Sequence, residues 1–173
     1  MRTQLRFSGS GGQGVITAAI IFAEAAVNQG FNAVQSQSYG PEARGGASKA
    51  EVIISENKIF HPHVDKPDFL LALTQKAADK YIHDLNPNGT LIIDSDLVPN
   101  PPQFQNIISL PITNFAVEKV GKALFTNIVA LGVLVKVSNF LDFDTVKNAL
   151  ASRVPPATVE QNLAALNLGF GSV

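Results

Sequence analysis

The chain has 173 residues, 46% of them hydrophobic and 16% charged, with a formal net charge of −1 and no cysteine. That length suffices for a single domain, residues 1–173, with a substantial core. A near-neutral chain without a basic run lacks the electrostatic footprint of nucleic-acid binding, and without cysteine it forms no disulfide and ligates no iron–sulfur cluster through its own thiolates.

In chain order, Leu5 to Ser8 reads as a first strand that follows Met1-Arg2-Thr3-Gln4 directly, with no signal-peptide pattern. Gly12 to Asn28 reads as an alanine-rich helix closed by Gly30; apolar residues cover almost its whole circumference, so it is expected to be buried on more than one side. Phe31 to Gln35 is a second strand, expected to return parallel to the first by a right-handed crossover. Residues 36–46 contain Gly-Pro and Gly-Gly and read as a loop. From Ser48 to Ser55 the residues alternate as in a strand, and Glu56-Asn57 is expected to turn the chain so that Ile59-Phe60 pairs back as an antiparallel hairpin. Phe69–Leu73, Thr90–Asp94 and Ile107–Leu110 read as further strands, with a helix over Gln75–Leu85 between the first two. Helical stretches follow at Thr113–Val120, Leu124–Ser138, Phe143–Ser152 and Val159–Leu166. Strands apolar on both faces and interleaved with helices predict an α/β fold: a mostly parallel, Rossmann-like sheet with helices on both faces and one antiparallel hairpin. The longest apolar run, Ile128 to Val135, is too short to span a bilayer, so the expected location is the cytoplasm, with no membrane role.

The strongest motif is Gly9-Ser10-Gly11-Gly12-Gln13-Gly14, between the first strand and the first helix. Glycines allow positive φ and close backbone approach, and such a turn aims helix N-terminal amides at whatever lies in the crevice. The spacing fits the dinucleotide fingerprint, but that fingerprint needs an acidic residue near the end of the second strand to hold a ribose. Gln35-Ser36-Gln37 stands there instead, so a structural turn, or one facing a partner's backbone, competes with a nucleotide site. Gly14 is followed by Val15-Ile16 rather than lysine and a hydroxyl residue, so the P-loop pattern is absent. Arg44, between Ala43 and Gly45-Gly46, could clamp a phosphate or carboxylate, anchor an interface, or simply pair with Glu42. His61 and His63 lack the companions of a metal site and read as solvent-facing loop residues. Asp94 and Asp96 end an apolar strand, where open sheets place ligand crevices, but carboxylates there also cap helices and turns. Asn127, inside an apolar helix, must find a partner, and Gly132 would permit close helix approach.

Five segments recur together in a known family: GSGGQGV at Gly9–Val15, QSQSYGPEARGGAS at Gln35–Ser48, VIIS at Val52–Ser55, KPDFLLAL at Lys66–Leu73, and the helix from Asn127 to Gly132. On these the chain resembles the gamma subunit of 2-oxoacid:ferredoxin oxidoreductases, with the SQSYGPEARGGAS form nearer the 2-oxoglutarate branch and the pyruvate, branched-chain and indolepyruvate branches as alternatives. The resemblance implies an enzyme that oxidatively decarboxylates a 2-oxoacid, transfers the acyl group to CoA and reduces ferredoxin. It further implies thiamine diphosphate between alpha and beta subunits, iron–sulfur clusters in a ferredoxin-type subunit or ferredoxin, and no cofactor or catalytic residue in this chain. The isolated chain is then expected to be inactive and prone to self-association. Gly9, Gly11, Gly12, Gln13 and Gly14 correspond to the family's glycine turn, and Tyr39, Gly40, Pro41, Arg44, Gly45 and Gly46 to its second motif. With Ser38 and Asn127 they form the candidate set for contact with a ligand or a partner, bordering a CoA entry path. A stand-alone nucleotide-binding module is the rival reading from another class.

Overall fold

The computed structural model describes residues 1–38 and 46–173. The order is β1 (Arg2–Ser10), α1 (Val15–Asn28), β2 (Asn32–Gln37), β3 (Ala47–Ser55), β4 (Phe69–Ala72), α2 (Gln75–Tyr81), β5 (Thr90–Asp94), β6 (Ile107–Leu110), α3 (Ile112–Phe115), α4 (Thr126–Ser138), α5 (Phe143–Arg153) and α6 (Val159–Phe170). A π turn, Ala116–Val120, extends α3, and a 3-10 turn, Ala123–Phe125, leads into α4. The strands form one sheet in the order β2-β3-β1-β4-β5-β6. β1, β4, β5 and β6 run parallel, whereas β3 runs antiparallel to both its neighbours, β1 and β2.

The α/β class and the helices on both faces agree with the sequence reading, but two expected pairings are corrected. β2 does not lie beside β1, because β3 takes that place. The reason is compositional: β3 buries Ala50, Val52, Ile53 and Ile54 and can be covered on both sides, whereas the polar NAVQSQ of β2 suits an edge. The hairpin at Ile59-Phe60 does not form, and Phe60 is 74% exposed. With β1 on one side and β2 on the other, β3 has no free edge to offer residues 59–60. The antiparallel connection is instead β2 to β3.

Side chains alternate across the sheet, so β1 sends Leu5 and Phe7 to one face and Arg6 and Ser8 to the other. The Leu5–Phe7 face carries the larger core, in which α1 lies on β1, β2 and β3 and is backed by α4 and α5. That second contact explains the apolar circumference of α1. Phe22 of α1 meets Phe7 and Phe140 edge-on, with ring centroids 5.9 and 5.7 Å apart. α4 is the innermost helix, with every residue from Thr126 to Val135 buried. It crosses α6 at Gly132 and Gly169: a Cβ on Gly132 would collide with the Leu166 carbonyl and one on Gly169 with the Val129 carbonyl. Gly132 therefore serves helix–helix contact rather than helix–sheet packing.

The opposite face is covered by α2 and the turn after it, over a smaller core that includes Leu70, Ala72, Leu91 and Ile93. Arg6 is 3% exposed there; its Nε donates to Glu51 Oε1 at 2.8 Å and its NH1 to Asp84 Oδ2 at 2.6 Å. The guanidinium carbon sits 5.1 Å from the Tyr81 ring centroid, and Lys49 shares Glu51 at 3.0 Å. Arg6 and Glu51 are direct neighbours in the β1–β3 register, so the pair is set by strand pairing. Among the described residues, no helix is long and apolar enough to cross a membrane.

Candidate functional site

The C-terminal ends of the parallel strands open on one side of the sheet, where α/β folds form their crevices. β1 ends there in the glycine turn. The sequence reading starts the helix at Gly12, but Gly12 (φ 86°) and Gly14 (φ 73°) are left-handed, so helix geometry begins only at Val15. Gly12 has open space where a Cβ would stand, so its glycine serves conformation alone. At Gly9 space alone is lacking, since a Cβ would strike Gln13 Oε1, whereas Gly14 combines its positive φ with a Cβ position 2.5 Å from Asn127 Nδ2.

The turn is held from within. Gln13 folds its side chain back so that Oε1 accepts from the Ser10 amide at 2.7 Å, while the Gln13 amide donates to the Ser10 carbonyl at 3.3 Å. Asn127, buried at the start of α4, donates from Nδ2 to the Gly14 carbonyl at 3.0 Å, and that carbonyl also accepts from the Ala18 amide at 3.1 Å. The partner that Asn127 required is thus the turn itself, which it fastens to the central helix. Gly11 stays exposed at the tip.

Ser38 and Gly46, on either side of residues 39–45, lie at the same end of the sheet. Ser10 pairs with Ala47, the first residue of β3, which places Gly46 beside the glycine turn. Ser38 follows β2 directly; its amide donates to the Lys49 carbonyl at 3.2 Å, and its hydroxyl is buried with no partner among the described residues. The Tyr81 hydroxyl donates to the Ala47 carbonyl at 3.2 Å, fixing the first residue of β3 from the α2 side. Tyr39, Gly40, Pro41, Arg44 and Gly45 lie outside the described residues.

A crevice of about 450 Å³ separates Gly11, Gly12 and Gln13 from Leu97, Thr113, Ala123, Leu124 and Thr126. Leu124 is 70% exposed at its rim. The two threonine hydroxyls already donate, Thr126 to the Ala123 carbonyl and Thr113 to Asp94, so toward the crevice they offer lone pairs. Sequence reasoning missed this wall, for which an apolar residue just ahead of a buried helix is a weak signal. It also missed Arg6 and Tyr81; an arginine between Leu5 and Phe7 in a buried strand was the available sign.

Asp94 and Asp96 prove to be caps. Asp94 is fully buried and accepts from the Ile112 amide at 3.0 Å, the Thr113 amide at 3.1 Å and the Asp96 amide at 3.1 Å, while Asp96 accepts from the Asn114 amide at 2.7 Å. Burial pushes the Asp94 carboxyl above its ordinary value, against the lowering effect of the hydrogen bonds from Thr113 and Asp96. A raised folded-state value means the native protein holds this proton more firmly than the unfolded chain, so this group's contribution to stability falls as pH rises from 3.8 through the folded-state pKa. Asp94→Asn is expected to lower stability by about 1–3 kcal/mol through mispaired amides. The gap between the two proteins should narrow as pH rises through that window, read by urea unfolding at several pH values. A gap that widens there would refute the assignment. His61 and His63 are exposed, and among the described residues no group of three potential ligands could hold a metal ion.

The family model described as pyruvate ferredoxin/flavodoxin oxidoreductase matches residues 4–172. The chain belongs to that family. This oxidoreductase family member is 42% identical to 2-oxoglutarate synthase subunit KorC of Methanocaldococcus jannaschii, over 98% of this chain and 93% of the relative. It is 34% identical to ketoisovalerate oxidoreductase subunit VorA of Methanothermobacter thermautotrophicus, over 76% of this chain but only 27% of that longer protein. Among solved structures it is similar to the keto/oxoacid ferredoxin oxidoreductase gamma subunit of Geobacter sulfurreducens PCA, with a TM-score of 0.89, 48% identity and coverage of 98% of this chain and 96% of that one.

Proposed function

We propose that the chain is the gamma subunit of a 2-oxoglutarate:ferredoxin oxidoreductase, an enzyme that converts 2-oxoglutarate, CoA and oxidised ferredoxin to succinyl-CoA, CO2 and reduced ferredoxin. One observation carries the substrate branch: the likeness to 2-oxoglutarate synthase subunit KorC runs nearly end to end in both proteins. The likeness to the ketoisovalerate relative is lower and partial, which makes the branched-chain branch second. Thiamine diphosphate, held by alpha and beta subunits, supplies the decarboxylation chemistry in this reading. An iron–sulfur cluster does not fit this chain, which has no cysteine, so electron transfer is assigned to a ferredoxin-type subunit or ferredoxin.

The chain's own part is to present surface. The glycine turn offers backbone amides at a helix N-terminus, and Ser38 and Gly46 stand at the same corner. In this reading that corner meets the catalytic subunits in the cytoplasm and borders the path of CoA, with Arg44 supplying a guanidinium for a phosphate or a carboxylate. Co-purification from the native source, followed by acyl-CoA assays of the complex with 2-oxoglutarate, pyruvate and 2-oxoisovalerate, tests the reading. The expected result is a thiamine-binding pair among the partners and a preference for 2-oxoglutarate. A complex that prefers another oxoacid reassigns the branch. Arg44→Ala in the assembled enzyme should raise the KM for CoA by at least about tenfold, the loss of one charge-assisted contact of about 1.4 kcal/mol. An unchanged KM with intact assembly removes Arg44 from the CoA path. Calorimetric titration of the chain alone with NAD, NADP and ATP separates the nucleotide-module reading, which requires tight binding without partners.

A further inference from the structure

Among the described residues, β2 is the outermost strand on its side of the sheet. Its six residues, NAVQSQ, contain no charge and no proline, and its register with β3 runs unbroken from Asn32↔Ser55 to Gln37↔Ala50. Edge strands are ordinarily guarded against further pairing by lysine, proline, a bulge or brevity. At the opposite edge, β6 has the last of these, with four residues. β2 has none.

The Ser38 amide donates to the Lys49 carbonyl, and hydrogen-bonded pairs alternate along an antiparallel ladder. Ser36 and Val34 share the phase of Ser38, so the main-chain groups of Ala33 and Gln35 point away from the sheet. These two residues also line a groove of about 470 Å³ whose other wall includes Ile20 and Val27 of α1. Val27 is 54% exposed, and Glu24 pairs with Arg153 at 3.2 Å along the groove.

We propose that this edge is a two-fold contact between two copies of the chain, β2 pairing antiparallel with β2 of the second copy. A two-fold axis normal to the sheet keeps both α1 helices on one face, so each copy covers Val27 of the other. NAVQSQ set against itself opposes no like charges. Glu24 and Arg153 pair within each copy, so the groove brings no unbalanced charge to the axis. One six-residue strand and one groove bury less than the roughly 1,200 Å² of a standard interface, so the dimer is weak and concentration-dependent. The contact does not depend on which oxoacid the enzyme uses.

Sedimentation velocity of the full chain, over three decades of concentration up to about 1 mM, should show a monomer–dimer equilibrium. Val27→Glu and Val27→Lys, each placing like charges across the axis, should each weaken the dimer at least about tenfold, and mixing the two should restore it. Gln35→Pro should abolish it by removing an outward amide, with thermal stability retained because the amide bonds nothing within the sheet. Ile107→Lys on the β6 edge should leave it intact. The proposal is overturned by a monomer at every concentration, by a dimer indifferent to the Val27 variants, or by Ala33 and Gln35 amides that gain exchange protection only in the assembled complex. The last result would give the edge to a strand of another subunit.

Discussion

Gly169→Ala is expected to lower the melting temperature of the full chain by roughly 6–12 °C, equivalent to about 3 kcal/mol at the scale of a protein this long. The added Cβ would collide with the Val129 carbonyl and stand 3.0 Å from the Val133 amide nitrogen, both backbone atoms of α4 that cannot rotate aside. Relief requires the helices to separate, which opens voids in a core where α4 is buried along most of its length. Gly132→Ala meets the mirror problem, its Cβ lying 2.7 Å from the Phe170 amide nitrogen of α6. Because the two sites share one crossing, the double variant should cost less than the sum of the singles; once the helices have parted, the second methyl adds little. Gly171→Ala is the control, since its Cβ would meet only the Asn167 carbonyl, at 3.3 Å, and the φ of −83° suits any residue. Thermal melts of the four variants and the parent decide the matter. A Gly169→Ala protein as stable as the control would mean that α6 can leave α4 at no cost.

Arg6→Ala is expected to destabilise by about 3–5 kcal/mol, measured by urea unfolding. It removes the buried cation that faces Glu51 and Asp84 and leaves a void under Tyr81. Glu51, 12% exposed in the parent, is then left with Lys49 alone, and Lys49 is itself partly open to solvent. Arg6→Met fills the space but strands the same carboxylate, so it should recover only part of the loss. Arg6→Met combined with Glu51→Leu should come within about 1 kcal/mol of the parent, because a well-packed apolar pair can replace a buried ion pair with little loss. If Arg6→Ala costs under about 1 kcal/mol, the network is no more than a solvated surface pair.

The contrast between these sites and the glycine turn shows what the sequence made legible. The turn was readable because its constraint is local: positive φ at Gly12 and Gly14 admits few residue types, and the neighbouring strand and helix have opposite periodicities. Strand order was not, because β2 and β3 share most local signals, and their placement depends on which of them can be covered on both faces. Asn127 and Gly132 were legible as anomalies in an apolar helix, but their partners, Gly14 and α6, lie far along the chain. Gly169 gave no sign, since a glycine near the end of a helix reads equally as a terminator. The Asp94 cap could be named only as one of two options, because the sequence does not show which amides a carboxylate will meet. The crevice wall at Leu124 and Thr126 was invisible for the same reason: it exists only once the ends of three elements are gathered around the glycine turn.

The bond from Asn127 to the Gly14 carbonyl spans 113 positions of sequence. A ribosome adding about 5–20 residues per second finishes Asn127 roughly 6–23 s after Gly14, and α6, on which α4 rests, comes later still. The glycine turn therefore waits for 113 further residues before its shape is locked. A nascent chain stalled before Asn127 would present the glycine corner unfastened, exposed to chaperones rather than ready for the enzyme's other subunits.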